Sequence, residues 1–117
     1  MAMDEATIGV SNDKGSVTIT AGGSLTFLNA TEFGEQIAEA ASTADSVTVD
    51  LRPADFIDTQ ILQDLGRAGV KLLGRDKRLR VLLDADAYPL RVIKISGYEA
   101  IMDVDVLPGH KAEPDRC

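Results

Sequence analysis

The chain has 117 residues, 44% of them hydrophobic and 26% charged, which suits one ordinary domain core and is too little for two. A net charge of −7, with no Trp and only 4% aromatic residues, argues against nucleic acid as a partner. Phosphate binding needs Lys and Arg, and single strands need aromatic platforms on which bases stack.

The only cysteine, Cys117, is the final residue, so a disulfide framework and a Cys-based zinc site are both excluded. The N-terminus lacks a basic region followed by an apolar one, and no apolar run nears the roughly 20 residues that span a bilayer. The expectation is a cytoplasmic protein without membrane insertion.

Two β segments come first, at 6–11 and 16–21, separated by the turn-forming Asn12-Asp13-Lys14-Gly15. Val17 and Ile19 alternate with Thr18 and Thr20, the pattern of a half-buried strand, and Gly22-Gly23 is expected to break it. A helix is predicted to start at Asn29, with Asn29 as cap and Glu32 closing a capping box. Phe33, Ile37, Ala40 and Ala41 form its apolar stripe. Residues 46–51 read as a strand.

Asp58 is the next natural cap. Ile61, Leu62, Leu65, Gly69, Leu72 and Leu73 follow at helical spacing, and Gly74 supplies the stop. Residues 78–83 end in Val81-Leu82-Leu83, an apolar run of the kind buried in a sheet. A shorter helix over 88–96 ends at Gly97, and 101–106 is the last strand. Residues 108–117, polar and mixed in charge, read as a flexible tail beyond a single domain of 1–107. The order β-β-α-β-α-β-α-β implies an α/β fold with a mainly parallel sheet. Three helices cannot cover both faces of such a sheet, so they should lie mostly on one.

Charge is uneven along the chain. Residues 1–50 carry Lys14 as their only base, whereas Arg67, Lys71, Arg75, Lys77, Arg78 and Arg80 cluster later. That cluster reads either as a solvated helix end and strand start or as a patch that selects an acidic partner.

Residues able to do chemistry are few. His110, the lone histidine, and Cys117 both fall in the tail, where a catalytic group would lack a fixed position. No phosphate-binding loop, dinucleotide glycine pattern or Ser-His-Asp set is present. Asp55 with Asp58, Asp84 with Asp86, and Asp103 with Asp105 are paired carboxylates, more simply explained by turn and cap chemistry than by a metal. This inventory points to a binding protein with no cofactor of its own.

One segment is more specific. From Val47 the chain runs Val-Thr-Val-Asp50-Leu51, then through a short loop to Phe56-Ile57-Asp58-Thr59-Gln60-Ile61-Leu62. It resembles the signature of STAS domains, the family of bacterial anti-sigma factor antagonists and of sulfate-transporter tails: a Val-rich strand ending Asp-Leu, a loop, then Ile-Asp and Ser or Thr opening a helix. Gly23-Ser-Leu-Thr26-Phe-Leu-Asn29 is similar to the family's first strand-to-helix junction, and Pro89 to Glu99 to its third-helix region.

The resemblance implies a STAS-like α/β fold and a partner-switching role. The partner would be an anti-sigma factor that is also a serine/threonine kinase, released when Thr59 is phosphorylated. Partner contacts would fall on Thr26, Asp55, Asp58, Thr59, Gln60 and Gln63. Thr59 would sit in a first helical turn with free backbone N–H groups and the positive dipole end nearby. Where antagonists usually follow the acceptor with a small residue and Gly, this chain has Gln60-Ile61, and Thr26 stands where they usually carry Asp. The same resemblance leaves open a constitutive scaffold subunit of a stressosome or lipid-transport complex, a small-ligand or nucleotide sensor, and weak homodimerisation.

Overall fold

The structure is a computed structural model that describes residues 6–107. The tail residues 108–117, with His110 and Cys117, lie outside the described residues. Strands β1 (Thr7–Asp13) and β2 (Ser16–Leu25) form an antiparallel hairpin. Its two-residue loop has φ of 53° at Lys14 and 91° at Gly15, the paired positive angles of a tight turn matched to strand twist. Then follow α1 (Phe27–Thr43), β3 (Ser46–Asp50), β4 (Ala54–Ile57), α2 (Thr59–Leu73), β5 (Leu79–Asp84), α3 (Tyr88–Ser96), a 3₁₀ turn (Tyr98–Ala100) and β6 (Met102–Leu107).

The sheet order is β1-β2-β3-β5-β6, with every pairing after the first hairpin parallel. β2 is long because it serves two partners. Its first half pairs with β3, and Gly23–Leu25 pair with β4. Gly22-Gly23 therefore does not end the strand, as expected from the sequence, but carries it on to a second neighbour. β4, read from the sequence as loop, is the element that periodicity missed.

Register explains why the helices share one face. Ile19, Val49, Val81 and Val104 line up across four strands, and the first three are fully buried. The next row over is Thr18, Thr48, Arg80 and Asp103, which points the opposite way and is exposed or half-buried. A side-chain period of two makes one face apolar and leaves the other to solvent. The buried residues of all three helices, among them Phe33, Leu65 and Ile93, join one core cluster with the apolar face.

The stripe Phe33, Ile37, Ala40 and Ala41 on α1 is buried as expected. On α2, Ile61, Leu65 and Leu72 are buried, but Leu62 is half-buried and Leu73 is 37% exposed; Ala68 and Asp64 take inward positions instead.

Four of the six bases in the cluster, the arginines, have partners in the fold. Arg67 pairs with Asp64, Arg78 with Asp103 at 2.7 Å and Arg80 with Asp105 at 2.5 Å. Arg75 Nη1 donates to the Ala41 carbonyl near the C-terminus of α1 at 2.8 Å, where a cation is favoured. The acidic Asp103 and Asp105 are thus structural partners. Asp84 Oδ1 accepts from the Asp86 backbone N–H, a turn bond.

Candidate functional site: the gathered helix starts

Each helix follows the C-terminal end of a parallel strand, so the helix N-termini collect at one end of the sheet, where α/β folds place ligand and partner sites. Leu25 and Ile57 are register partners at the ends of β2 and β4, and the Asp58 N–H donates to the Leu25 carbonyl at 3.1 Å. The caps one residue further on, Thr26 of α1 and Asp58 of α2, are thereby brought side by side.

α1 starts earlier than the sequence suggested. Thr26, not Asn29, is the cap: its Oγ1 accepts from the Leu28 N–H at 3.3 Å, while Asn29 Oδ1 accepts from the Thr26 N–H at 3.1 Å. The capping box is therefore Thr26 with Asn29, and Glu32 has no part in it. Phe27 and Leu28, read as a lead-in, are already helical, and Leu28 stands 78% exposed on the first turn.

Asp58 caps α2 as expected, accepting from the N–H groups of Gln60 at 3.0 Å and Ile61 at 3.3 Å. This changes the picture of Thr59. Two of the backbone donators expected to be free in the first turn already bond to Asp58. A charged group on the exposed Thr59 hydroxyl would project outward beside the Asp58 carboxylate rather than fold into the helix end. Gln60 and Gln63 are exposed on the same helix, and Ile61 is fully buried.

Asp55 owes its position to a bulge. Gly23 pairs with Ala54 and Ser24 with Phe56, so Asp55 is the extra residue on β4 and is turned out to solvent. The loop before it is fixed by Asp50, whose carboxylate accepts from the Arg52 backbone N–H at 3.0 Å and from its Nε and Nη2 at 2.9 and 2.8 Å.

Thr26, Asp55, Asp58, Thr59 and Gln60 thus share one end of the molecule, and Gln63 extends that surface along α2. Sequence reasoning missed an aromatic pair in the same region. Phe56 on β4 stacks on Tyr88 at the start of α3, with ring centroids 5.4 Å apart and planes 12° from parallel, and both rings are partly exposed. No helical or strand period links positions 56 and 88; only the docking of α3 on β4 does.

Such an end surface combines capped helix starts, an exposed hydroxyl, two carboxylates and an apolar pair. Among the described residues no group of three or more His, Cys, Asp or Glu is placed to hold a metal, and no helix is long and apolar enough to cross a membrane. The architecture is that of a small, mainly parallel α/β domain with its helix starts gathered at one end.

The family model described as "Mlab, STAS domain" matches residues 8–105, and the chain belongs to the STAS domain family. Among solved structures, an anti-sigma factor antagonist from Mycobacterium paratuberculosis superposes with a TM-score of 0.77 at 21% identity, covering 89% of this chain and 88% of the other. A putative anti-sigma factor antagonist from Thermotoga maritima has a TM-score of 0.68 at 13% identity, covering 84% and 85%. The Bacillus cell fate determinant SpoIIAA in its phosphorylated form has a TM-score of 0.66 at 13% identity, covering 90% and 93%. At these identities the likeness is one of fold. No curated protein gives a significant match to the chain.

Proposed function

We propose that this STAS domain is an anti-sigma factor antagonist whose grip on its partner is released by phosphorylation of Thr59. The observation that carries the reading is the division of labour at the start of α2. Asp58 supplies the cap, so the Thr59 hydroxyl is exposed and its modification leaves the fold alone. Family membership and the antagonists among its structural neighbours support the choice of partner.

The partner docks on the end surface, with Phe56, Tyr88 and Leu28 as apolar contacts and Thr26, Asp55, Asp58, Gln60 and Gln63 as polar ones. A phosphate on Thr59 adds about −1.5 to −2 charge beside two carboxylates, and the partner lets go. The kinase activity, and the ATP it needs, belong to the partner, so this chain works by binding and carries no cofactor.

The test is affinity for the cognate anti-sigma factor, measured for wild type, Thr59→Ala and Thr59→Glu. Thr59→Ala should bind like wild type. Thr59→Glu should lose about 1–3 kcal/mol of association. Kinase and ATP should place one phosphate on wild type and none on Thr59→Ala by mass spectrometry. Equal binding by all three, with no phosphate at Thr59, would overturn the switch and leave a constitutive scaffold as the better account.

A further inference from the structure

Asp64 is the polar residue for which the end surface has no use. It lies on the inward face of α2, its side chain is 9% exposed, and it sits against α1. Oδ1 accepts from Arg67 Nη1 at 3.1 Å, one turn along the helix, but Oδ2 is buried with no hydrogen-bond partner among the described residues.

Buried carboxylate oxygens are costly when unpartnered, and native folds leave few of them. Here α1 packs closely: a Cβ on Gly34 would stand 3.1 Å from Oδ2 and 3.3 Å from Oδ1, so the carboxylate sits against a residue without a side chain.

Gly34 and Asp64 line a groove of about 570 Å³ between α1 and α2, within the range of small-molecule sites. Its walls combine the apolar Ala30, Ile37 and Ala68 with Thr31, Gln60 and Arg67. Gln60 and Arg67 are exposed side chains on the groove wall, and a ligand reaches the buried oxygen only if the wall moves aside. Arg67 spends one N–H on Asp64 and keeps others for an incoming acceptor. A buried carboxylate oxygen without a hydrogen-bond partner and a guanidinium with spare donors, held side by side in the groove wall, match the two charges of a small zwitterion.

We infer that the groove between α1 and α2 is a binding site for a small zwitterionic ligand of the amino-acid type, its ammonium donating to Asp64 Oδ2 and its carboxylate accepting from Arg67. The ligand side chain lies along the apolar wall. Burial pushes the Asp64 carboxyl above its ordinary range, against the pull of Arg67 and Gln60. The site shares Gln60 with the partner surface but does not depend on phosphorylation of Thr59, and it stands or falls without that switch.

The experiment is a titration of the isotope-labelled protein with free L-amino acids at millimolar concentration, and with their N-acetyl forms, read by amide NMR shifts. Free amino acids should give saturable shifts centred on Thr31, Gly34, Gln60 and Asp64, and N-acetyl forms, lacking the ammonium, should not. Asp64→Asn keeps the shape and removes the charge, and it should weaken binding by about 10–100-fold, the worth of one hydrogen bond to a charged group. Arg67→Ala should weaken it too, and because Arg67 is the partner of buried Asp64 the same amide spectrum checks that the variant is folded. Absence of saturable shifts, equal shifts with N-acetyl forms, or unchanged binding in Asp64→Asn would each overturn the inference and leave Asp64 as a buried acid satisfied by water or its own proton.

Discussion

Asp58 and Thr59 are neighbours with opposite obligations. Asp58 holds two first-turn N–H groups, so Asp58→Ala should cost about 1 kcal/mol in urea unfolding and loosen the surface that a partner reads. Thr59→Ala should leave the unfolding midpoint unchanged, because nothing in the fold depends on its hydroxyl.

Asp64 sets a second residue-scale expectation. Burial raises its carboxyl above 3.8, with Arg67 and Gln60 opposing and Asp58 adding to the rise, while Glu35 and Lys71 also line the groove. A carboxyl with a raised folded value binds its proton more tightly when folded. Its stabilising contribution is fully present below about 3.8 and is lost as pH rises through the folded value. Asp64→Asn should therefore gain stability relative to wild type at neutral pH, and the gain should shrink on acidification. A difference in melting temperature independent of pH would count against this account. Asp64's burial could not be read from the sequence, where a carboxylate between Gln63 and Leu65 looks like any solvated helix position; Gly34, thirty residues away, decides it.

At the scale of elements, α2 carries the core most directly. Leu65 is fully buried, and Leu65→Ala should cost about 2–5 kcal/mol in urea melts. A loss below about 1 kcal/mol would mean that this face tolerates a cavity, against the general behaviour of buried leucines. Helices α1, α2 and α3 were legible because 3.6-residue periodicity repeats over several turns, and the α3 range and its Gly97 stop match the observed helix. β4 was not legible. Four residues with a buried-exposed-exposed-buried pattern carry no period of two, because the bulge at Asp55 breaks the alternation. The start of α1 was misplaced for a local reason: two overlapping cap signals, Thr26 and Asn29, lie three residues apart, and the chain uses both in a single box with Thr26 outermost.

For the whole molecule, the bare sheet face makes a further prediction. The Arg80–Asp105 pair lies across β5 and β6, and Arg78, just before β5, pairs with Asp103 of β6; both pairs are exposed, where ion pairs contribute little. Replacing Arg80 by Ala should change stability by less than about 1 kcal/mol, and added salt should erase even that. A larger loss would show that this face is covered by something in solution.

The sequence by itself determined the fold class, the single core, the apolar face of each long element and the Asp58-Thr59 helix start, because those follow from short-range periodicity and cap chemistry. Only the tertiary structure decided which distant residues share a surface. The shared strand β2 sets Thr26 beside Asp58, the docking of α3 on β4 stacks Tyr88 on Phe56, and the packing of α1 on α2 brings Gly34 over Asp64. Each of these depends on contacts between residues about 30 positions apart, for which the local pattern of the chain carries no signal.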